Sequence, residues 1–173
     1  LMPTSMDNNF ILLCVYNKMR FNNTLISYKG KTRRLPKRYL SNLKGSDLNR
    51  QIKSIFEGKK RPQIKSRKAR KSTWTAKFDR EYGDEIVKLK GGKTLKNISK
   101  VSGISEKALK EVYNKGAAAY FTGGSRPNQT PESWAYARVY SYIMGGNTRK
   151  VDTEVTEKYN GKCKHTCFLD LLP

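Results

Sequence analysis

KTLKNISKVSGISEKALKEVYNKGAAAYFTGGSRPNQTPESWAYARVYSYIMGG, residues 93–146, is the stretch in which periodicity, caps and turn residues agree. Thr94 is placed to cap a short helix that carries Leu95, Ile98 and Val101 on one face. Gly103 supplies the left-handed residue that ends such a helix. Ile104 then turns inward, and Ser105 is a good N-cap for a second helix. That helix bears Ala108, Leu109, Val112 and Tyr113, a spacing that makes one apolar stripe. Gly116 is a candidate kink, residues 117–121 are expected to continue the helix, and Gly123-Gly124 to break it. Thr130-Pro131-Glu132 has the residue order of a third helix start: cap, proline in the first turn, then an acid near the positive end of the helix dipole. Trp134, Ala137, Val139, Tyr140 and Ile143 give this helix a wide apolar face, and Gly145-Gly146 end it. The expected fold is mainly α: a helix-turn-helix-like pair plus a third helix, with Trp134 buried against the stripe of Leu109 and Val112.

Working outward, residues 73–82 (TWTAKFDREY) read as another short helix, stopped by Gly83. Its Trp74, Phe78 and Tyr82 recur at helical spacing. Such a stripe is usually core, and base stacking is the other use of it. Residues 29–72 form a strongly basic arm containing KGKTRRLPKR (29–38) and KKRPQIKSRKARK (59–71). One short helix, 46–57, interrupts it, capped by Ser46 and bearing Leu48, Ile52, Ile55 and Phe56. The flanking runs have few apolar side chains to offset the cost of ordering backbone, so the arm is expected to be extended and held by other chains. Residues 10–16 (FILLCVY) and 24–28 are β-prone, and a short N-terminal hairpin between them is an expectation. The expected division is thus an N-terminal segment (1–28), the arm (29–72), a helical core (73–152) and a tail (153–173). Within residues 147–161, Val151 and Val155 are expected to share one short helical face. A chain that opens Leu1-Met2-Pro3 is expected to be processed, truncated or a segment of something longer.

The charge balance narrows the partner. The chain of 173 residues holds 36 Lys+Arg against 14 Asp+Glu, a net charge of +22, with only 36% hydrophobic residues. Such an excess repels itself in a compact protein, so a polyanion or an acidic protein surface is the expected counter-charge. Three cysteines, Cys14, Cys163 and Cys167, do not make a disulfide framework. Cys163, His165 and Cys167 form one close cluster, but a structural zinc site takes four ligands, usually from two separated pairs, so no metal is expected. His165 is the only histidine, and no nucleophile–base arrangement accompanies it. The expectation is therefore a protein that is not an enzyme and carries no cofactor. No run reaches the roughly 20 apolar residues of a membrane span.

Two segments invite an anion. GGSRPNQTPES (123–133) sets glycines, Ser125 and Arg126 before a helix start, where backbone N–H groups can hold a phosphate. The better reading of it is a structured connector between two packed helices, in which Arg126 pairs with an acid or a backbone carbonyl. The helix-turn-helix-like pair (94–116) would expose Glu106, Lys107, Lys110, Glu111 and Asn114. The two acids oppose the field of DNA, so packing is the better reading of that pair. The residues expected to meet a partner or nucleic acid are Arg33, Arg34, Lys37, Arg38, Lys59, Lys60, Arg61, Arg67, Lys68, Arg70, Lys71, Lys107, Lys110, Arg126 and Arg138.

The segment KGAAAYFTGGSRPNQTPESWAYARVYSYIMGGNTRKVD (115–152) resembles an uncharacterised domain family of large eukaryotic DNA viruses and some tailed phages. The matching residues are Ser125 to Thr130, Ser133, Trp134, Ala137, Arg138, Gly145, Gly146 and Lys150 to Asp152, and the LPKRYL of the arm (35–40) is also similar. The resemblance implies a viral source and transfers no catalytic residue. Together with the arm it leads to an expected role as a minor capsid protein on the inner face of an icosahedral shell, cementing neighbouring subunits. The expected partners are the major capsid protein and other minor capsid proteins, within a large assembly in the virion. The alternatives are a nucleic-acid-binding or genome-packaging virion protein that meets viral DNA, and a helix-turn-helix regulator.

Overall fold

The computed structural model describes residues 23–159. Strands β1 (Asn23–Tyr28) and β2 (Lys31–Pro36) form an antiparallel hairpin and lead through a single 3-10 turn (Lys37–Tyr39) into helix α1 (Gly45–Phe56). Six further helices follow: α2 (Thr73–Val87), α3 (Leu95–Ser102), α4 (Glu106–Gly123), α5 (Pro131–Ile143), α6 (Asn147–Val151) and α7 (Thr153–Lys158). The protein is mainly helical, as its periodicities require.

The α3–α4 pair forms at the expected residues. The Thr94 side chain accepts from the Asn97 N–H, and Gly103 ends α3 with φ of 72°. The Ser105 hydroxyl accepts from the Ala108 N–H to open α4. Helix α4 runs unbroken through Gly116. A Cβ there would stand 2.7 Å from the Ala135 Cα, so its lack of a side chain lets α4 and α5 lie close together. Helix α5 opens with a reciprocal cap, in which Thr130 Oγ1 accepts from the Ser133 N–H and Ser133 Oγ accepts from the Thr130 N–H, with Pro131 in its first turn. Thr130→Ala removes one half of that cap, and a loss of about 1 kcal/mol is expected. A urea midpoint equal to that of the parent protein would show that the cap contributes nothing.

The main core joins Phe78, Tyr82 and Ile86 of α2 to Ile98, Leu109, Val112, Val139, Tyr142, Ile143 and Val155. Helix α2 does not stop at Gly83: continuing to Val87 buries Ile86, which offsets the glycine's cost inside a helix. Trp134 is not in this core. It lies nine residues before Ile143, about half a turn away around the helix at 3.6 residues per turn. It is half-buried over a second cluster, formed by Leu35, Tyr39, Ile55 and Phe56, and meets Tyr120 edge-on at 6.4 Å.

The arm is the chief difference from expectation. Residues 29–72 pack on the helical core instead of extending from it. The strand partner of β1 is β2, inside the arm; residues 10–16, expected to pair there, lie outside the described residues. Leu35, Tyr39, Leu43, Ile55, Phe56 and Ile64 are buried. The runs between them are held by polar groups far away in sequence. Asn128, at φ of 61°, accepts from the Ile64 N–H at 2.6 Å and donates to the Ile64 carbonyl at 3.0 Å. Gln129 Nε2 donates to the Arg70 carbonyl at 3.2 Å, and Gln51 Nε2 to the Ser125 carbonyl at 2.8 Å. Counting apolar side chains within the basic runs missed these bonds, because each satisfies arm backbone or side chain from the connector between α4 and α5.

The described part of the tail also belongs to the core. The helix breaks at Asp152, so Val155 is buried while Val151 stays exposed, and the two do not share a face. Asp152 is buried and receives two bonds from Arg138, Nε at 2.9 Å and Nη2 at 2.6 Å. Cys14, Cys163, His165 and Cys167 lie outside the described residues.

Candidate functional site

A cleft of about 870 Å³ opens where the end of the arm and the start of α2 face α5 and the turn into α6. Gln129, bonded to the Arg70 carbonyl, and Ser72, whose hydroxyl caps α2, fix the arm side of it. Among the described residues, six cations line the cleft, Arg38, Arg70, Lys71, Lys93, Arg126 and Arg138, and no carboxylate does. Three of the six are already matched. Arg138 is paired with Asp152, while Lys71 (3.7 Å) and Lys93 share Asp79. Among the described residues, no carboxylate lies within ion-pair distance of Arg38, Arg70 or Arg126. Arg126 feels this directly. Burial first, and then the Arg70 and Arg38 charges beside it, push its guanidinium below the ordinary arginine range. Three guanidinium groups that share a cleft with no carboxylate of the described residues beside them make a site at which an anion relieves the repulsion.

The cleft also has aromatic walls. Trp74, Trp134 and Tyr136 line it, and each is half-buried. Trp74 sits against Gly146: a Cβ at that glycine would lie 2.6 Å from the indole ring, so the close approach needs its absence. Tyr136 stacks on Tyr140 with centroids 6.0 Å apart, and Tyr140 stacks on Phe78 at 4.3 Å. Burial, with a smaller contribution from Asp79, raises the Tyr140 phenol well above its usual range.

The residues singled out in the sequence separate into groups. Arg38, Arg70, Lys71, Arg126 and Arg138 come together at the cleft from four stretches of chain. Arg34, Lys37, Lys59, Lys60 and Lys68 are exposed on the packed arm, with Lys59 bonded to Glu57 at 2.7 Å. Arg33 lies over the Phe56 ring at 5.3 Å, and Arg67 donates to the Ser41 carbonyl at 3.0 Å. Arg61 is not available to a partner. It is only 3% exposed; its guanidinium donates to the carbonyls of Ser54 (2.9 Å), Lys59 and Tyr120 (2.7 Å) and lies 4.8 Å from the Tyr120 ring centre. An arginine fork satisfies several orphan carbonyls at once, which is why a charge from the basic run is drawn inward here. Lys107 and Lys110 are exposed on α4, away from the cleft lining. Along α4, Lys158 of α7 bonds Glu111 at 2.9 Å and Lys115 bonds Glu154. The α3–α4 pair is thus built into the core by α7 as well as α5, in line with the packing reading.

Lys93 is a cleft residue that sequence reasoning missed, since it stands alone between glycines and a helix cap. Trp74 carried a signal: it is the end of an aromatic stripe, where a side chain meets the rim. In the connector, Arg126 meets neither the acid nor the carbonyl expected of it among the described residues, while Asn128 and Gln129 make the structural bonds. Among the described residues no cluster of His, Cys, Asp and Glu is arranged to hold a metal ion, and no helix is long and apolar enough to cross a membrane.

The model of one family, described as a family of unknown function (DUF5824), matches residues 36–159, well over half of the chain. That span begins inside the arm and ends with α7. No curated protein and no solved structure matches.

Proposed function

We infer the role of this chain from its cleft, taking as premise that it belongs to DUF5824, a family of unknown function. The reading is a nucleic-acid-binding virion protein, positioned on the inner side of a capsid, whose cleft meets the viral genome. The observation that carries it is the trio Arg38, Arg70 and Arg126, gathered in one cleft with no carboxylate of the described residues in its lining. The net charge of +22 supports the same partner, because it raises the local concentration of any polyanion. The viral setting rests on the resemblance of residues 115–152. The chain acts by binding and performs no chemistry in this reading.

Cementing of capsid subunits by a free arm has less support than this alternative. To span neighbouring subunits, residues 29–72 would have to leave the core. That would expose Leu35, Tyr39, Ile55, Phe56 and Ile64, at roughly 1.5–3 kcal/mol for each fully buried side chain. Contacts with capsid proteins through the outer face of the packed arm, with Arg34, Lys37, Lys60 and Lys68, need no such step.

The test is fluorescence anisotropy of the full chain with a labelled 30-nucleotide probe over a range of salt. Binding is expected to weaken steeply, with a log–log slope of roughly −0.7 to −0.9 per phosphate contacted. The triple variant Arg38→Ser, Arg70→Ser, Arg126→Ser is expected to bind at least about tenfold more weakly and to lose slope by about two to three. A control triple, Lys88→Ser, Lys96→Ser, Lys100→Ser, removes the same charge from exposed positions outside the cleft. Equal losses in the two triples, or a flat salt response, would overturn the reading.

A further inference from the structure

We propose that the occupant of the cleft is a single-stranded segment of nucleic acid, a few nucleotides long, whose bases stack on Trp74, Trp134 or Tyr136 while Arg38, Arg70 and Arg126 hold its phosphates. The inference rests on the polyanion reading above and goes further by specifying the strand state. The first support is the pairing of chemistries: unmatched guanidiniums and half-buried aromatic rings line the same space. Charge alone would need no aromatic wall, and a purely apolar ligand would not call for three uncompensated cations. Rings on which bases stack, beside cations that follow the backbone, are the general means of holding a single strand without reading its sequence.

Size is the second support. A cleft of about 870 Å³ is within the roughly 300–1,000 Å³ of small-ligand sites. It has room for a short stretch of strand. In a duplex the base faces are covered by their neighbours, so none reaches a side chain unless it is unstacked or flipped out. A duplex can meet the rim arginines only from outside, leaving the rings unused.

Preorganisation is the third. Trp74 is pressed against Gly146, which has no Cβ to displace it. Tyr136 ends a stacked run that continues through Tyr140 to the fully buried Phe78. A base that lands on Tyr136 meets a ring whose orientation is already set, and little side-chain freedom is lost on binding.

The chain contains two tryptophans, and both line the cleft, so intrinsic tryptophan fluorescence reports on this site. The full chain is titrated at one fixed salt concentration with four probes: dT12, U12, a 12-base-pair duplex, and inorganic polyphosphate of about the same charge as dT12. Both single strands are expected to quench the fluorescence and to bind about tenfold or more tightly than polyphosphate, as one stacked base would give. Trp74→Leu and Tyr136→Leu keep an apolar side chain without a stacking face. At least one of the two is expected to bring dT12 binding toward that of polyphosphate while leaving polyphosphate binding unchanged. A preference of U12 over dT12, or the reverse, identifies RNA or DNA as the source, and either is consistent with the proposal. If polyphosphate binds as well as dT12, or the duplex binds more tightly than the single strands without quenching, the single-strand proposal is wrong although the polyanion reading stands. If no probe loses affinity in the cleft-arginine triple variant, both fail.

Discussion

Replacing Tyr120 by alanine is expected to cost about 3–5 kcal/mol, the range for truncating a large buried aromatic, and to loosen the arm before the core. Tyr120 is fully buried and joins the two parts of the molecule. Its hydroxyl accepts from the Arg61 N–H at 2.7 Å and donates to the Gln129 carbonyl at 3.0 Å. Its carbonyl accepts from the Arg61 guanidinium, and its ring lies beneath that cation and edge-on to Trp134. Alanine removes the ring and leaves a buried N–H and a carbonyl unsatisfied. Tyr120→Phe removes the hydroxyl alone, so a smaller loss of about 1–3 kcal/mol is expected. The two variants separate packing from hydrogen bonding. Chemical denaturation gives the magnitudes, and amide exchange gives the location. Protection should fall first in residues 59–72 and in α1, and last in α4. If Tyr120→Ala unfolds at the parent midpoint, or if residues 59–72 exchange freely in the parent protein, the arm is not held as described.

The second large effect is at Asp152. Asp152→Asn is expected to cost about 3 kcal/mol, toward the low end of the 3–5 kcal/mol seen when one partner of a buried pair is removed. The low end applies because the Arg138 side chain keeps 24% exposure against 2% for Asp152. The asparagine leaves the Arg138 fork with one neutral acceptor, and Lys115, 3.9 Å from Asp152 Oδ1, loses part of its counter-charge. The double variant Arg138→Met, Asp152→Leu removes both charges, and is expected to recover much of the loss. A double-mutant cycle measured by denaturation gives the coupling energy directly. Coupling near zero would mean that the pair does not tie α5 to the turn between α6 and α7. The same substitution bears on the cleft, because Arg138 lines it. Freed of Asp152, Arg138 adds a cation there, so Asp152→Asn should destabilise the fold without weakening polyanion binding.

Helix positions were legible because their causes are local. A serine or threonine cap bonds an N–H three residues on. A left-handed glycine ends a helix wherever it stands. The stripes of α3, α4 and α5 follow from a fixed number of residues per turn, whatever they pack against. The same reasoning placed Phe78 and Tyr82 in the core. It failed where a side chain's surroundings depend on a distant partner. Trp134 reads as core by its apolar bulk, yet the direction of α5 is set by Val139, Tyr142 and Ile143, and this sends Trp134 to the other cluster. Gly116 reads as a kink, and only its neighbour Ala135 reveals that it is a contact.

The candidate site divides in the same way. Sequence by itself led to the expectation of a polyanion or acidic surface as counterpart to a net charge of +22, and showed that the cations are dense in residues 29–72. It could not separate the arginine that is spent on carbonyls, Arg61, from those that no carboxylate of the described residues matches, Arg38, Arg70 and Arg126. A guanidinium is charged in every setting, so its role is set by which acceptors the fold brings to it. Those acceptors lie up to 59 residues away in the case of Arg61 and Tyr120. Tertiary structure alone decided that the arm folds back onto the core. The connector between α4 and α5 offers its buried polar groups to the arm's backbone, and each such bond avoids the desolvation cost that the unpaired group would otherwise carry.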